Sequence, residues 1–398
     1  LLGRDISTKE SVYLEASGSR AILVCGKRGS GKSYALGVIL EELVNVGRKN
    51  TIPIMIDPMG IYHTMVLKNT KESDSLYKWG LTAQDCPVRL LVPGVPNELY
   101  DASVLQEMGR RGIEILPLRL NPADLSPDSW CELFDAGINE PLGIVLFRAV
   151  QTVGEKRLDF TVSDILHAIQ KDTRAKDTSK EALTNRLEVA RRWHLFSEGG
   201  YTPLEEIFQP GVVNIVDVSR LDSGANGRRN LVVSIIARNL FRARTDARLR
   251  EEFGLAGSLP KVWLVIDEAH QFIPDGASSI SKPQLIRWAK EGRQPGLSLV
   301  VATQQPSAID KEVLSQCDII LSLKLTSRDD VMALNRLSQD YMGGELRAII
   351  TELQRTGQAV LVDDEAESVS RLQVRPRQSQ HGGGTKASST EDEYDLWK

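Results

Sequence analysis

The chain has 398 residues, 41% hydrophobic and 26% charged, which is ordinary for a globular protein and long enough for a large buried core. A formal net charge of −4 and a pI near 5.9 exclude a global basic field for nucleic acid, leaving a local stripe or an assembled ring as its only source. No apolar run approaches the ~20 residues that cross a bilayer, and Leu1-Leu2-Gly3-Arg4-Asp5 lacks the apolar core of a secretory signal, so a cytoplasmic protein without membrane contact is expected.

Taken in chain order, short aliphatic or β-branched runs predict strands at Ala21–Cys25, Ile52–Ile56, Val88–Val92, Val212–Val216, Val262–Ile266, Ser298–Ala302, Ile319–Leu323 and Ala359–Val362. Several are continuous rather than alternating, the pattern of a mainly parallel sheet covered on both faces, so the fold class is α/β. Between about residues 121 and 210 the period becomes helical, as in Leu142, Val145, Leu146 and Ala149, and again in Val162, Ile165, Leu166 and Ile169. This reads as a helical insertion dividing a core whose parts are 1–120 and 211–370. Thr161-Val162-Ser163-Asp164 looks like a helix start, and Lys171 to Lys180 a polar connector. After Arg371 the composition turns to Arg, Gln, Ser and Gly, and the segment 371–398 is expected to be disordered.

Three of these strands end in chemistry. Gly26-Lys27-Arg28-Gly29-Ser30-Gly31-Lys32-Ser33 fits G-x-x-x-x-G-K-[ST] and lies between a strand and the helical run that starts at Tyr34. Glycines let the backbone wrap phosphates with N–H groups inward, and the following helix start favours the anion. Lys32 is suited to the β- and γ-phosphates of ATP, Ser33 to Mg2+, and Tyr34 completes the candidate nucleotide contacts. The strand Val262–Ile266 ends in Asp267 and Glu268, the first suited to the magnesium shell, the second to orienting and deprotonating a water. Ser298–Ala302 leads to Gln304, an amide placed to sense the γ-phosphate. The DEAH string Asp267-Glu268-Ala269-His270 carries little weight alone. Cys25, Cys86, Cys131 and Cys317 form neither a CxxC pair nor a zinc spacing, and read as reduced core residues.

The phosphate loop, Val265-Ile266-Asp267-Glu268-Ala269-His270, Glu291-Gly292-Arg293, Val301-Ala302-Thr303-Gln304 and Leu314-Ser315-Gln316-Cys317-Asp318 together resemble the HerA branch of the HerA/FtsK ATPases, from about Arg20 to Leu361. A compact DEAH helicase would not separate its phosphate loop and acidic strand so widely. Ile56-Asp57-Pro58-Met59-Gly60 resembles the family's second strand, although Ile61 stands where relatives commonly carry an acid. The family's amino-terminal β-barrel finds no place in the residues ahead of Gly26. The resemblance implies a RecA-like P-loop NTPase core and a homohexameric ring moving along double-stranded DNA. ATP would sit at each subunit boundary, with a nuclease or other effector partner in DNA repair or antiviral defence. It also implies an arginine finger from the next subunit, Arg293 with Arg287 in reserve. A basic cluster of Arg228, Arg229, Arg238, Arg242, Arg244, Arg248 and Arg250 is a candidate lining for a DNA pore. Two rivals stand beside the motor: an ATP-binding ring scaffold that gates an effector without moving DNA, and a conjugation or secretion pump, whose usual membrane segments are not seen here.

Overall fold

Uninterrupted aliphatic strands have to be covered on both faces, and the alternation of side chains along each strand decides which residue meets which cover. In the computed structural model, which describes residues 1–383 except 48–49, 158, 199–202, 225–226, 258 and 338–344, twelve strands form one sheet. In chain order they are β1 (Gly3–Asp5), β2 (Ser11–Val12), β3 (Ala21–Cys25), β4 (Thr51–Asp57), β5 (Val88–Pro93), β6 (Glu114–Leu118) and β7 (Val213–Asp217). The rest are β8 (Lys261–Ile266), β9 (Leu297–Thr303), β10 (Ile319–Leu323), β11 (Gln358–Asp363) and β12 (Ser368–Val374). Their spatial order is β2-β1-β12-β11-β10-β3-β9-β8-β4-β7-β5-β6. From β10 to β6 every pairing is parallel, and the edge formed by β11, β12, β1 and β2 is antiparallel.

Alternation splits the interior into two layers. Leu23, Ile54, Leu264 and Val301 face one layer, and Ile22, Val24, Met55, Val265 and Val300 the other. The second is covered by helix α1 (Lys32–Val46), through Leu36, Val38, Ile39, Leu40 and Leu43. The first is covered by the long helix Arg228–Glu252 and by the helices Pro127–Leu133, Pro141–Gly154, Val162–Lys171 and Asp177–Arg192, so the helices between β6 and β7 share the core of the sheet. Thr161 starts its helix with a reciprocal cap: its side chain accepts from the Asp164 N–H, and the Asp164 carboxylate accepts from the Thr161 N–H at 2.9 Å, worth about 1 kcal/mol. The polar connector is shorter than expected, because the helix begins at Asp177.

The larger correction concerns the tail. The segment expected to be disordered from residue 371 is built into the fold as far as Gly383. Strand β12 pairs with both β11 and β1, and residues beyond it run back over α1 as a strap. Arg375 and Arg377, which look solvated in the sequence, are buried against α1. Arg375 pairs with Glu41 at 2.8 Å and Glu42 at 2.7 Å, and the Ser379 N–H and hydroxyl donate to Glu41 at 2.8 and 2.6 Å. Buried charges are tolerated only when paired and hydrogen-bonded, and this partner set meets that condition. Expected disorder over 384–398 lies outside the described residues.

Candidate nucleotide site

β3, β9 and β8 are adjacent and parallel, so their carboxyl ends deliver three loops to one edge of the sheet. At the end of β3 the chain is pinned on both sides: the Gly26 N–H donates to the Thr303 carbonyl at 3.3 Å, and the Lys27 N–H to the Lys324 carbonyl at 2.9 Å. The loop then turns through Gly29 at φ 78° and Gly31 at φ 106°, values that favour glycine. A Cβ on Gly26 would stand 2.5 Å from Ser30 Oγ, so the loop closes only over glycine. Gly31 is the N-cap of α1 and offers no capping side chain, leaving first-turn N–H groups without an intrahelical partner.

The acidic end of β8 meets this loop. Lys32 Nζ is in contact with Asp267 and lies 3.0 Å from Glu268 Oε1. Asp267 Oδ2 accepts from Ser33 Oγ at 3.0 Å and from the Tyr62 hydroxyl at 2.9 Å. Glu268 Oε1 also accepts from Gln304 Nε2 at 2.8 Å, and its Oε2 lies 3.5 Å from His270 Nδ1. Lys32, Asp267 and Glu268 are all buried. Glu268 holds φ 48° and ψ 45°, a left-handed conformation that costs a non-glycine residue about 1–3 kcal/mol and is concentrated at working sites.

These residues fit a magnesium nucleotide. The first turn of α1 is uncapped, and Ser30 Oγ is buried without a hydrogen-bond partner, a donor aimed at nothing in the protein. Ser33 Oγ and Asp267 Oδ2 are hard oxygens 3.0 Å apart. Such a pair suits an ion which takes one or two protein oxygens and completes its shell with phosphates and water.

The structure thus brings together Lys32, Ser33, Asp267, Glu268 and Gln304, while Lys27, Arg28, Gly29, Gly31 and Tyr34 line the cleft above them. Gly26 and Ser30 are not among the lining residues, and Gly26 closes against Ser30 Oγ within the loop. Arg293 does not line this cleft: it is 73% exposed, with Nη2 3.6 Å from Glu365. Arg287 pairs with Glu291 at 2.9 Å and lies over the Phe241 ring.

The basic cluster is not a free stripe. Arg244 is buried and bidentate to Glu251, Arg228 pairs with Asp222, Arg229 donates to the Ser219 and Leu221 carbonyls, and Arg248 pairs with Glu252. Asp222 ahead of the helix and Glu251 and Glu252 in its last turn thus neutralise three of the seven arginines within the chain, and Arg229 is held by loop carbonyls.

Sequence reasoning missed Tyr62 and the device that places it. The Asp57 carboxylate, fully buried at the end of β4, accepts the N–H groups of Met59, Gly60, Ile61 and Tyr62 at 2.8–3.0 Å, winding the short turn that aims the Tyr62 hydroxyl at Asp267. Burial, with the Asp267 and Asp57 charges, raises the Tyr62 hydroxyl well above its usual range and keeps it a donor. The Asp57-Pro58-Met59-Gly60 string was the available signal; its reach to Asp267 was not.

Comparison with known proteins agrees with this geometry. The family described as "Helicase HerA, central domain" matches residues 2–240. The DNA double-strand break repair helicase HerA of Sulfurisphaera tokodaii is 25% identical over 288 residues, covering 67% of this chain and 54% of its own length. That of Pyrococcus furiosus is 24% identical over 379 residues, covering 81% and 60%. The chain therefore spans little more than half the length of these relatives. Among solved structures, VirB4 of Thermoanaerobacter pseudethanolicus superimposes with a TM-score of 0.58 at 15% identity, covering 94% of this chain and 95% of that one, which shows a shared fold. With its phosphate loop, mainly parallel sheet and paired acids at one sheet edge, the chain belongs to the HerA central-domain family.

Proposed function

We propose that this chain is the motor unit of a Mg-ATP-dependent machine, assembled as a hexameric ring that translocates on double-stranded DNA with a nuclease or other effector in DNA repair or defence. The observation that carries the reading is the convergence of Lys32, Ser33, Asp267 and Glu268 from elements far apart in sequence. In that site the amides of the loop and Lys32 hold the β- and γ-phosphates. Ser33 Oγ and Asp267 would hold Mg2+, which when bound neutralises charge on the phosphates. Glu268 orients a water and takes its proton as the water oxygen bonds the γ-phosphorus and the bond to ADP breaks. Gln304, joined to Glu268 Oε1, fixes the rotamer of that base and carries the state of the γ-phosphate to β9. Arg293, exposed and outside its own chain's cleft, is available to a neighbour's site.

One observation favours the scaffold as second reading: three of the seven arginines that would line a DNA pore, Arg228, Arg244 and Arg248, are paired with acids of the chain itself. ATP turnover with and without duplex DNA, in wild type and Glu268→Gln, separates the two. The motor requires stimulation by duplex that the variant loses, and the scaffold requires none. Mass by light scattering with and without nucleotide completes the test, since a monomer under all conditions would leave Arg293 with no neighbouring site.

A further inference from the structure

The nucleotide cleft does not end at the phosphate loop. It is about 730 Å³, within the range of small-molecule sites, and it runs past Tyr34 to a second wall made by Gln373 at the end of β12 and by the carboxyl-terminal strap, including Pro376, His381 and Gly383. A single ligand spanning it meets an anion cradle at one end and flat, largely apolar groups at the other. We propose that the strap is the base-binding wall of the site, receiving the purine ring of the nucleotide against the packed pair Tyr34 and His381, with His381 Nε2–H as donor to the base. This rests on the nucleotide reading above and adds the recognition of the base to it.

Four features carry the assignment. Tyr34 stands two residues after the phosphate-binding lysine, and its ring meets the His381 ring edge-on, centroids 5.7 Å apart and planes at 71°, so an aromatic edge already packs here. The Arg377 guanidinium lies 3.2 Å from His381 Nδ1. Arginine can only donate, so Nδ1 accepts and the ring proton sits on Nε2. Burial and Arg377 push His381 down to about 4, which keeps the imidazole neutral beside a neutral base. Finally, the strap is fixed to the helix that carries Lys32 and Ser33. The Arg377 N–H donates to the Tyr34 hydroxyl at 2.7 Å, and Arg375 pairs with Glu41 and Glu42. Base wall and phosphate cradle are therefore two ends of one braced unit, and a ligand touching both gains from their fixed spacing.

The test is direct binding to the full chain of mant-ATP by fluorescence and of inorganic tripolyphosphate by calorimetry. His381→Ala is expected to weaken mant-ATP about tenfold, as loss of a ring contact and a hydrogen bond would, and to leave tripolyphosphate within about twofold. Gly382→Ala makes the same cut another way: its Cβ would lie 2.5 Å from the Ile61 carbonyl oxygen, so the strap tip must move while Arg375 and Arg377 stay anchored. The same split between the two probes is expected, and this variant decides the question if His381→Ala does not fold. Unchanged mant-ATP affinity in the folded variants overturns the proposal, as does tripolyphosphate weakening in step, which would make the strap a brace for α1 and nothing more. Lys32→Ala should lose both probes; if it keeps both, the phosphate-site reading fails rather than the base wall.

Discussion

Helix α1 carries a buried charge cluster at each end, and the two are built on opposite rules. At its start, Lys32 faces Asp267 and Glu268, with Ser30 Oγ left unpartnered and Glu268 held in a left-handed conformation. Toward its other end, Glu41 and Glu42 face Arg375, and the Glu41 carboxylate also receives the Ser379 N–H and hydroxyl and the Gln378 N–H. In the second cluster the Glu41 carboxylate and the Arg375 guanidinium are fully bonded by the protein, with Arg377 Nε, 3.7 Å from Glu41, the one buried donor left over, which offsets most of the desolvation cost of the ion pair. The first keeps donors and strain in reserve, the mark of groups that exchange partners when a ligand enters. Nearly equal burial thus accompanies different purposes, and the number of satisfied bonds distinguishes them.

The sharpest way to break this contrast is to disarm each cluster and read both activity and stability. Glu268→Gln is expected to lower ATP turnover by ~10²–10⁴-fold, the usual worth of a general base, while the unfolding free energy in urea without nucleotide changes by less than about 1 kcal/mol. Arg375→Ala should do the reverse: leaving Glu41 buried without its cation costs about 3–5 kcal/mol, seen as an early urea midpoint. Should Glu268→Gln prove the more destabilising of the two, the distinction drawn from bond saturation is wrong.

The same contrast explains what was legible in the sequence. The start of α1 could be read because anion binding demands glycines and a lysine at fixed local spacing, and a Walker-type strand must end in acids wherever it falls. The inner strands were legible for a related reason: burial on both faces leaves an apolar run. β6 was missed because it is an edge strand carrying Glu114 and Pro117 with exposed positions, and β1 and β2 are three and two residues long. The clamp on Glu41 was illegible because its partners lie over three hundred positions away in a segment whose Arg, Gln and Ser content matches a solvated tail. Nothing local separates a buried arginine from an exposed one until the acid it meets is known. Tyr62 fell between these cases: its turn was visible, its target was not.

Tyr62 sharpens the comparison at smaller scale, because it lends the working cluster one bond of the saturating kind. Tyr62→Phe removes the hydroxyl that donates to Asp267 Oδ2 and leaves Ser33 as the other donor to that oxygen. One such bond is worth about 1 kcal/mol, so turnover at limiting magnesium should fall about fivefold and largely recover at saturating magnesium. A variant as active as wild type across a magnesium titration would make Tyr62 a packing residue rather than a positioning one.

Asp57 buries a carboxylate by a third route, with four backbone N–H donors and no cation, and with Asp217 beside it across the β4–β7 ladder. Burial and the Asp217 charge push its carboxyl up to about 7, against the pull of the four N–H bonds. The sign of the consequence follows from linkage: between its unfolded value near 3.8 and about 7 the folded chain binds a proton that the unfolded chain has released. Asp57 therefore stabilises the fold fully below that window, and the contribution is lost as pH rises through it. Asp217→Asn removes one of the two causes, so urea midpoints taken at about pH 5 and about pH 8 should fall less in the variant than in wild type. Equal falls would mean that the Asp217 charge plays no part, and that burial alone sets the proton affinity of Asp57.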